Sequence, residues 1–292
     1  MLYKMIKEKL LYRNIIFYLL PSMILLLVFV VPAIQLFPLS FHNSHTVMGM
    51  REYIGLQNYQ KLFTPEIGRS LYNTFIYVFC SVPVSMVIGM FFAIVLNNRI
   101  PGRGFFWVLV FLPWAVPHSI CATVFRWFIH SEYGLLNFIL INIGLINKPL
   151  QLLSVDLAMF SNILLQIWKA VPYSTITLLS GLQGIPEDLY EAAIVDGANS
   201  LQKFFYITLP SLRNIIVTSS LILGIWAFRT FELIWVLTGG GPLGVTETLP
   251  LTIYKMGFNS YNAGLASALG IVSLIILGSI SIIMFKLGAK DQ

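Results

Sequence analysis

Glu191-Ala192-Ala193-Ile194-Val195-Asp196-Gly197-Ala198, followed after a further eight residues by Ile207-Thr208-Leu209-Pro210, is a polar, helix-forming island between two long apolar segments. Pro186 suits a first helical position, and Glu187, Asp188 and Glu191 favour a helix N-terminus. The helix is expected to run through Leu189 to Asp196, where Gly197 can adopt the left-handed conformation that ends a helix. Asn199 or Ser200 can cap a second helix through Leu201, Phe204, Phe205 and Ile207. Pro210 marks the return toward the flanking apolar segment. The expected product is a helix, a sharp bend and another helix. Two readings of it stay open on periodicity alone. The alanines can give a face thin enough to enter a groove on a partner, or the loop can lie on a lipid surface.

The rest of the chain decides what the island interrupts. Of 292 residues, 57% are hydrophobic and 10% are charged, a balance that excludes an ordinary soluble domain. A membrane span needs about 20 mostly apolar residues to cross ~30 Å of hydrocarbon. Such runs lie at Asn14–Pro38, Leu71–Leu96, Phe105–Phe128, Leu157–Leu182, Ile215–Leu237 and Gly264–Phe285. The expectation is an all-α membrane protein of six transmembrane helices, with no room for a sizeable soluble domain. The first run follows Lys4, Lys7, Lys9 and Arg13, as in a signal peptide, but it is too long for a signal core and no small-residue cleavage site follows it. Cys80 and Cys121 fall within spans and read as packing residues. The net charge of +6 is not a nucleic-acid footprint, because the basic residues cluster at membrane edges.

Those edges set the orientation. Lys4, Lys7, Lys9, Arg13, Arg99, Arg103, Lys203, Arg213, Lys286 and Lys290 fall on one side of the six spans. Arg51, Lys61, Arg69, Lys148 and Lys255 fall on the other. The larger group, mostly in shorter loops, belongs to the cytoplasm, which places both termini and the Glu191 loop inside. Gly134–Ile146 is apolar but too short to span and is expected to lie at the interface or re-enter on the outer face. The outer connection from Ser40 to Ser70, with Gly55-Leu56-Gln57-Asn58-Tyr59 and Pro65, implies turns and a short surface helix. Pro32, Pro83, Pro113, Pro117 and Pro172 lie inside spans and invite kinks, and the Pro113/Pro117 pair makes the third span the best place for a broken helix. In the last span, Gly264/Ala268 and Ala266/Gly270 allow close helix approach, read first as packing within the chain.

Charged residues inside spans usually face a cavity or a partner. Lys169 falls near the middle of the fourth span, on one helical face with Gln166 and Tyr173. Arg229 and Glu232 fall in the outer half of the fifth. One reading is a polar path for a solute, with Trp168, Tyr173 and Trp226 as rings on which a sugar could stack. The other is mutual neutralisation, of Lys169 or Arg229 by Glu232. His42, His45, His130 and Glu132 do not converge into a metal-ligand pattern. No Gly-x-Ser-x-Gly elbow supports serine catalysis. No Gly-x-x-x-x-Gly-Lys-Ser/Thr phosphate loop occurs either, so energy from ATP would have to come from another chain.

Glu-Ala-Ala, three residues, Gly, nine residues, Ile-x-Leu-Pro resembles the EAA motif of the membrane subunits of binding-protein-dependent ABC importers, with every fixed position present. Leu182-Gln183-Gly184-Ile185-Pro186, Asp196-Gly197-Ala198, Thr238-Gly239-Gly240-Gly241-Pro242 and Thr246-Glu247-Thr248-Leu249 resemble its carbohydrate-uptake branch. Leu20-Pro21 and Gly55-Leu56-Gln57-Asn58-Tyr59 are similar to the maltose/glycerol-phosphate type. The maltose permease carries extra N-terminal spans and a large outer domain that this sequence lacks, so the likeness is to the shorter six-span relatives. The resemblance implies a type I ABC importer permease fold. Residues 1–66 would hold the N-terminal segment, first helix and outer loop, and 67–290 the transmembrane domain with its EAA loop at 187–213. Glu191, Ala192, Ala193, Asp196 and Gly197 would contact an ATPase subunit as a coupling helix, anchored by Ile207, Leu209 and Pro210. Sugar contacts would map to Gln166, Lys169, Ala170, Tyr173, Leu223 and Ala227, with Arg229 and Glu232 further along the path. The different polarity at Lys169, Leu223 and Ala227 implies a solute other than maltose. The implied partners are a second permease subunit, two ATPase subunits holding ATP and Mg, an extracellular substrate-binding protein and the lipid bilayer. The chain itself would bind no cofactor, metal or nucleic acid and catalyse no covalent chemistry. The implied location is the bacterial cytoplasmic membrane. The solute implied is a sugar or oligosaccharide, with glycerol phosphate or a polyol in the same importer role as an alternative. The rival functions are an ion-driven secondary transporter, with Lys169 or Glu232 linked to a proton, and an intramembrane enzyme.

Overall fold

The structure is a computed structural model that describes residues 2–98 and 101–289. Arg99 and Lys290, two of the residues used to set orientation, lie outside the described residues, as do the side chains of residues 2–18. The chain divides into two compact units. One comprises the segment through Phe63 together with Ile253–Val272, and the other Thr64–Thr252 with the segment from Ser273 onward.

The first unit begins with α1 (Leu2–Ser40). Its side chains from Leu19 to Gln35 are all exposed in the isolated chain, so this helix needs lipid or a partner as solvent. A short antiparallel hairpin follows, β1 (His42–His45) with β2 (Gly49–Tyr53). The sequence did not announce these strands, because they are short, polar and without alternation. One turn, α2 (Gln57–Gln60), supplies the expected surface helix. Its Asn58 is buried and donates to the Ser40 and His42 carbonyls at 2.8 and 3.0 Å. A Cβ added at Gly264 would strike that His42 carbonyl and the Asn58 amide. The small residues at the start of the last span are therefore a device for packing within the chain.

The second unit holds α3 (Pro65–Asn97), α4 (Arg103–Ala115), α5 (His118–Phe128), α6 (Leu135–Asn142) and α7 (Ala158–Gln183). It continues with α8 (Glu187–Val195), α9 (Ser200–Lys203), a π turn over Phe204–Thr208, α10 (Leu209–Ser211), α11 (Arg213–Phe228) and α12 (Glu232–Leu237). The short α13 (Leu249–Tyr254), a second π turn over Lys255–Asn259 and α14 (Ala263–Ala289) complete the chain. Thr64 caps α3 by accepting from Ile67 N, with Pro65 in the first turn.

The core of this unit is the seam between α3 and α7. The buried residues of α3 include Ser70, Thr74, Tyr77, Ser81, Ser85, Ala93 and Leu96. The hydroxyls bond back to the carbonyl four residues earlier, as Ser81 does to Tyr77 and Ser85 to Ser81, at 2.6 and 2.7 Å. They therefore pack as small, satisfied groups. At Gly89 an added Cβ would fall on the Cβ of Ser174, the close backbone approach that small residues permit between membrane helices.

Three described helices are long and apolar enough to cross a membrane: Leu19–Ser40 of α1, Pro65–Asn97 and Ala263–Met284 of α14. Two bent pairs raise the number to five, α4 with α5 at 103° and Ser200–Ser211 with α11 at 65°. The remaining expected span is α7. It reaches about 39 Å at ~1.5 Å per residue, and it is polar because Ser161, Asn162, Gln166, Lys169, Ser174 and Thr175 are buried inside the protein. The short α6 is too brief to span, as expected of the Gly134 segment.

The expected fifth span, Ile215–Leu237, needs correction. The helix α11 ends at Phe228, with Arg229 at its C-cap, and α12 starts only at Glu232. Thr230 closes the last turn by bonding back to the Trp226 carbonyl at 3.0 Å. Arg229 and Glu232 therefore share no helical face.

Candidate functional site

The Glu191 loop folds as its residues dictate. Glu187 and Asp188 sit in the first turn of α8, and Pro186 stands one position before it, at the N-cap. The C-terminus closes in a Schellman arrangement. Gly197 N–H donates to the Ile194 carbonyl and Ala198 N–H to the Ala193 carbonyl, at 3.0 and 2.8 Å. Gly197 is left-handed, with φ 78°. Asn199 then opens α9 with a capping box, its side chain accepting from Gln202 N while the Gln202 side chain accepts from Asn199 N. The hydroxyls of Tyr190 and Thr208 meet at 2.9 Å and tie the two arms together.

No residue of α8 is buried. Glu191, Ala192, Asp196, Gly197 and Pro210 are exposed, while Ala193, Ile207 and Leu209 are half-buried. Beside them Ile194, Val195, Leu201, Phe205 and Tyr206 are exposed, Val195 by 87%. These apolar side chains received no site role from the sequence, although apolar residues in a connecting loop with no core of its own are a visible signal.

A second feature lies among α4, α5, α7 and α11. The third span breaks between Ala115 and His118, at Val116 and Pro117. Val116 adopts extended backbone before Pro117, as the proline ring requires of its predecessor. The elbow borders a cavity of about 520 Å³, within the usual range for small-molecule sites. Its walls are Trp114 to His118 from the elbow, Gln166, Lys169 and Ala170 from α7, and Leu223 and Trp226 from α11, with Thr230 beyond.

Four of the expected path residues, Gln166, Lys169, Ala170 and Leu223, thus come together. Gln166 is held from behind by the fully buried Tyr77, whose hydroxyl donates to Gln166 Oε1 at 3.1 Å. Tyr173 stands next to them, edge-on to the Trp226 ring with centroids 4.8 Å apart. Ala227 is buried, outside the cavity lining. Arg229 and Glu232 are exposed and line no part of it. Trp168 points elsewhere and is half exposed. The Lys169 ammonium donates to the Pro113 and Val116 carbonyls at 2.6 and 2.8 Å, so the expected neutralisation by Glu232 is not what holds it. The elbow residues Trp114 and His118 were missed, because nothing local in Pro113–His118 says that the broken helix turns them toward α7. With two indoles, an amide, a hydroxyl and an imidazole on its walls, the cavity can stack a ring face and hydrogen-bond hydroxyls.

Residues 63–290 match the family model described as binding-protein-dependent transport system inner membrane component. The trehalose/maltose transport system permease protein MalF of Thermococcus litoralis is 37% identical over 275 residues, covering 92% of this chain and 91% of that protein. The sulfoquinovosyl glycerol transport system permease protein SmoG of Agrobacterium fabrum is 34% identical over 260 residues, covering 86% and 82%. A bacterial alginate ABC transporter, solved in complex with its alginate pentasaccharide-bound periplasmic protein, has a chain with TM-score 0.83 at 25% identity, covering 99% of this chain and 97% of that one. By both sequence and fold, this chain belongs to the family of inner membrane components of binding-protein-dependent transport systems.

Proposed function

We propose that this chain is a permease subunit of an ATP-driven importer that carries a sugar or oligosaccharide across the cytoplasmic membrane of a bacterium, with both termini cytoplasmic. The observation that carries the reading is the connection between two features. The helices that line the cavity from two sides, α7 and α11, are the two that run into the exposed Glu191 loop. On this reading α8 and the bend at Gly197 dock on an ATPase subunit through Glu191, Ala192, Ala193 and Asp196. Ile207, Leu209 and Pro210 anchor the loop to the membrane body. Gln166, Ala170, Tyr173 and Leu223 border the solute path, and Trp114 and Trp226 offer stacking faces. ATP and Mg belong to the ATPase subunits, and this chain holds no cofactor. A second permease subunit completes the path, and an extracellular binding protein delivers the solute. The names of relatives that handle maltose, sulfoquinovosyl glycerol and alginate support a saccharide as the solute class.

The test is reconstitution in proteoliposomes with both permease chains, the ATPase and the binding protein. Uptake of the sugar retained by the binding protein should require ATP and should survive collapse of proton and sodium gradients. Uptake by this chain alone, driven by an ion gradient, would refute the assignment, and so would chemical conversion of the sugar without transport.

A further inference from the structure

We propose that Lys169 is a positioning residue, which holds the Pro113–His118 elbow in place as one wall of the cavity and acts on the solute only through that wall. The proposal rests on reading the cavity as part of the solute path.

The argument starts from the backbone. In a continuous helix the N–H of residue 117 would donate to the carbonyl of residue 113. Residue 117 is proline and has no N–H, so the Pro113 carbonyl loses its partner inside a membrane-spanning segment. Val116, forced into extended backbone before that proline, leaves a second carbonyl outside any helical ladder. In hydrocarbon such groups must be satisfied by the protein itself. Lys169 reaches both from α7, at 2.6 and 2.8 Å, with its side chain only 5% exposed. Two of its three N–H donors are therefore engaged in keeping the ends of the broken helix against α7. A buried ammonium held in this way favours one elbow geometry, because any swing of the elbow away from α7 strips it of acceptors. The side chains that the elbow sends to the cavity, Trp114 and His118, are placed by the same contact.

The protein carries its own reporter. Cys121 in α5 is buried, and its thiol faces the same Val116 carbonyl at 3.6 Å. The other cysteine, Cys80, is exposed and can be replaced. In a Cys80→Ala background of the full reconstituted complex, Cys121 is labelled with N-ethylmaleimide and uptake is measured in parallel. Lys169→Leu is expected to speed labelling roughly tenfold or more, the scale of one lost charge-assisted hydrogen bond, and to lower uptake by a similar factor. Lys169→Arg, which keeps a long donor, is expected to restore slow labelling and most of the uptake. Uptake lost while Cys121 stays protected would overturn the proposal in favour of a direct solute contact. Normal uptake with protected Cys121 would overturn it outright. If the leucine variant does not accumulate, Lys169→Gln, too short to reach both carbonyls, is read in the same way. Labelling does not depend on transport, so a wild-type complex that moves no sugar would refute the functional reading and leave the elbow contact still under test.

Discussion

Gly197 offers the sharpest perturbation, because its environment isolates a single physical effect. An added Cβ there meets nothing within 4 Å, so substitution creates no clash. What remains is the backbone at φ 78°. A non-glycine L-residue in that region gives up roughly 1–2 kcal/mol, which at ~1.4 kcal/mol per tenfold corresponds to about a 5- to 30-fold loss of the bent form. Asparagine tolerates left-handed backbone better than alanine does. Proline fixes φ near −65° and removes the N–H that donates to Ile194, a loss of about 3 kcal/mol or more. The order of sugar-stimulated ATPase activity and ATP-dependent uptake should therefore be glycine, asparagine, alanine and proline, with proline near background. The variants should still insert and co-purify with the second permease chain. Gly144 supplies the control, since it too is left-handed, at φ 73°, with open space around it. Gly144→Ala carries the same strain away from the loop and should leave coupling unchanged. A Gly197→Pro complex with uptake and ATPase stimulation within about twofold of wild type, less than the strain alone predicts, would refute the reasoning.

Gly89→Ala should destabilise the α3–α7 seam by about 1–3 kcal/mol, because the new methyl falls on Ser174 with backbone close behind. The check is the detergent-solubilised melting temperature, and Ser174→Gly should recover only part of the loss. Asn58→Ala leaves the Ser40 and His42 carbonyls without their donor. It should lower stability by roughly 1–3 kcal/mol, visible as earlier proteolysis of the β1–β2 hairpin while ATPase activity persists. Tyr173→Ala removes the ring packed on Trp226 and should raise the KM for sugar uptake without changing basal ATPase activity. An unchanged KM and rate would remove Tyr173 from the path.

How much of this was legible in the sequence depends on the distance over which each signal acts. The bend at Gly197 was legible because a glycine that ends a helix and an asparagine that starts the next act within a few residues, and the structure forms both caps. The helices were legible from hydropathy, α7 (Ala158–Gln183) among them. The polar residues of α7 look costly for a span until α3 and the elbow are seen to cover them. The break near Pro117 could be anticipated, but its consequence could not. The contact that satisfies Pro113 and Val116 comes from Lys169, far along the chain, and no local pattern encodes it. Arg229 and Glu232 are three apart, but that spacing implies a shared face only while the helix continues, and α11 ends at Phe228. The β1–β2 hairpin escaped because its strands are too short and too polar to alternate.

On the proposed reading, the same geometry lets the Glu191 loop act on the cavity. The segment from Lys169 to Gly181 is one continuous helix with Pro172 inside it, about 18 Å long at ~1.5 Å per residue, so it carries a push over that distance with Pro172 as its softest point. At its lower end Gly181 lets α7 approach so closely that an added Cβ would strike the side chains of Leu212 and Ile215 on the far arm of the loop. The two arms therefore meet at a crossing between the loop and the cavity. Further along, both arms line the cavity, through Ala170 and Leu223. A displacement applied to α8 cannot be absorbed by slack, because Gly197 and Asn199 fix the bend and Tyr190 ties to Thr208. It must either tilt α7 against α11 about the Gly181 crossing or break the seam with α3. Ser81, Ser85 and Ser174 present small hydroxyls whose bonds run to their own helix. Those hydroxyls let the seam shift, and the Tyr77–Gln166 bond is an interhelical tie that a large tilt must stretch.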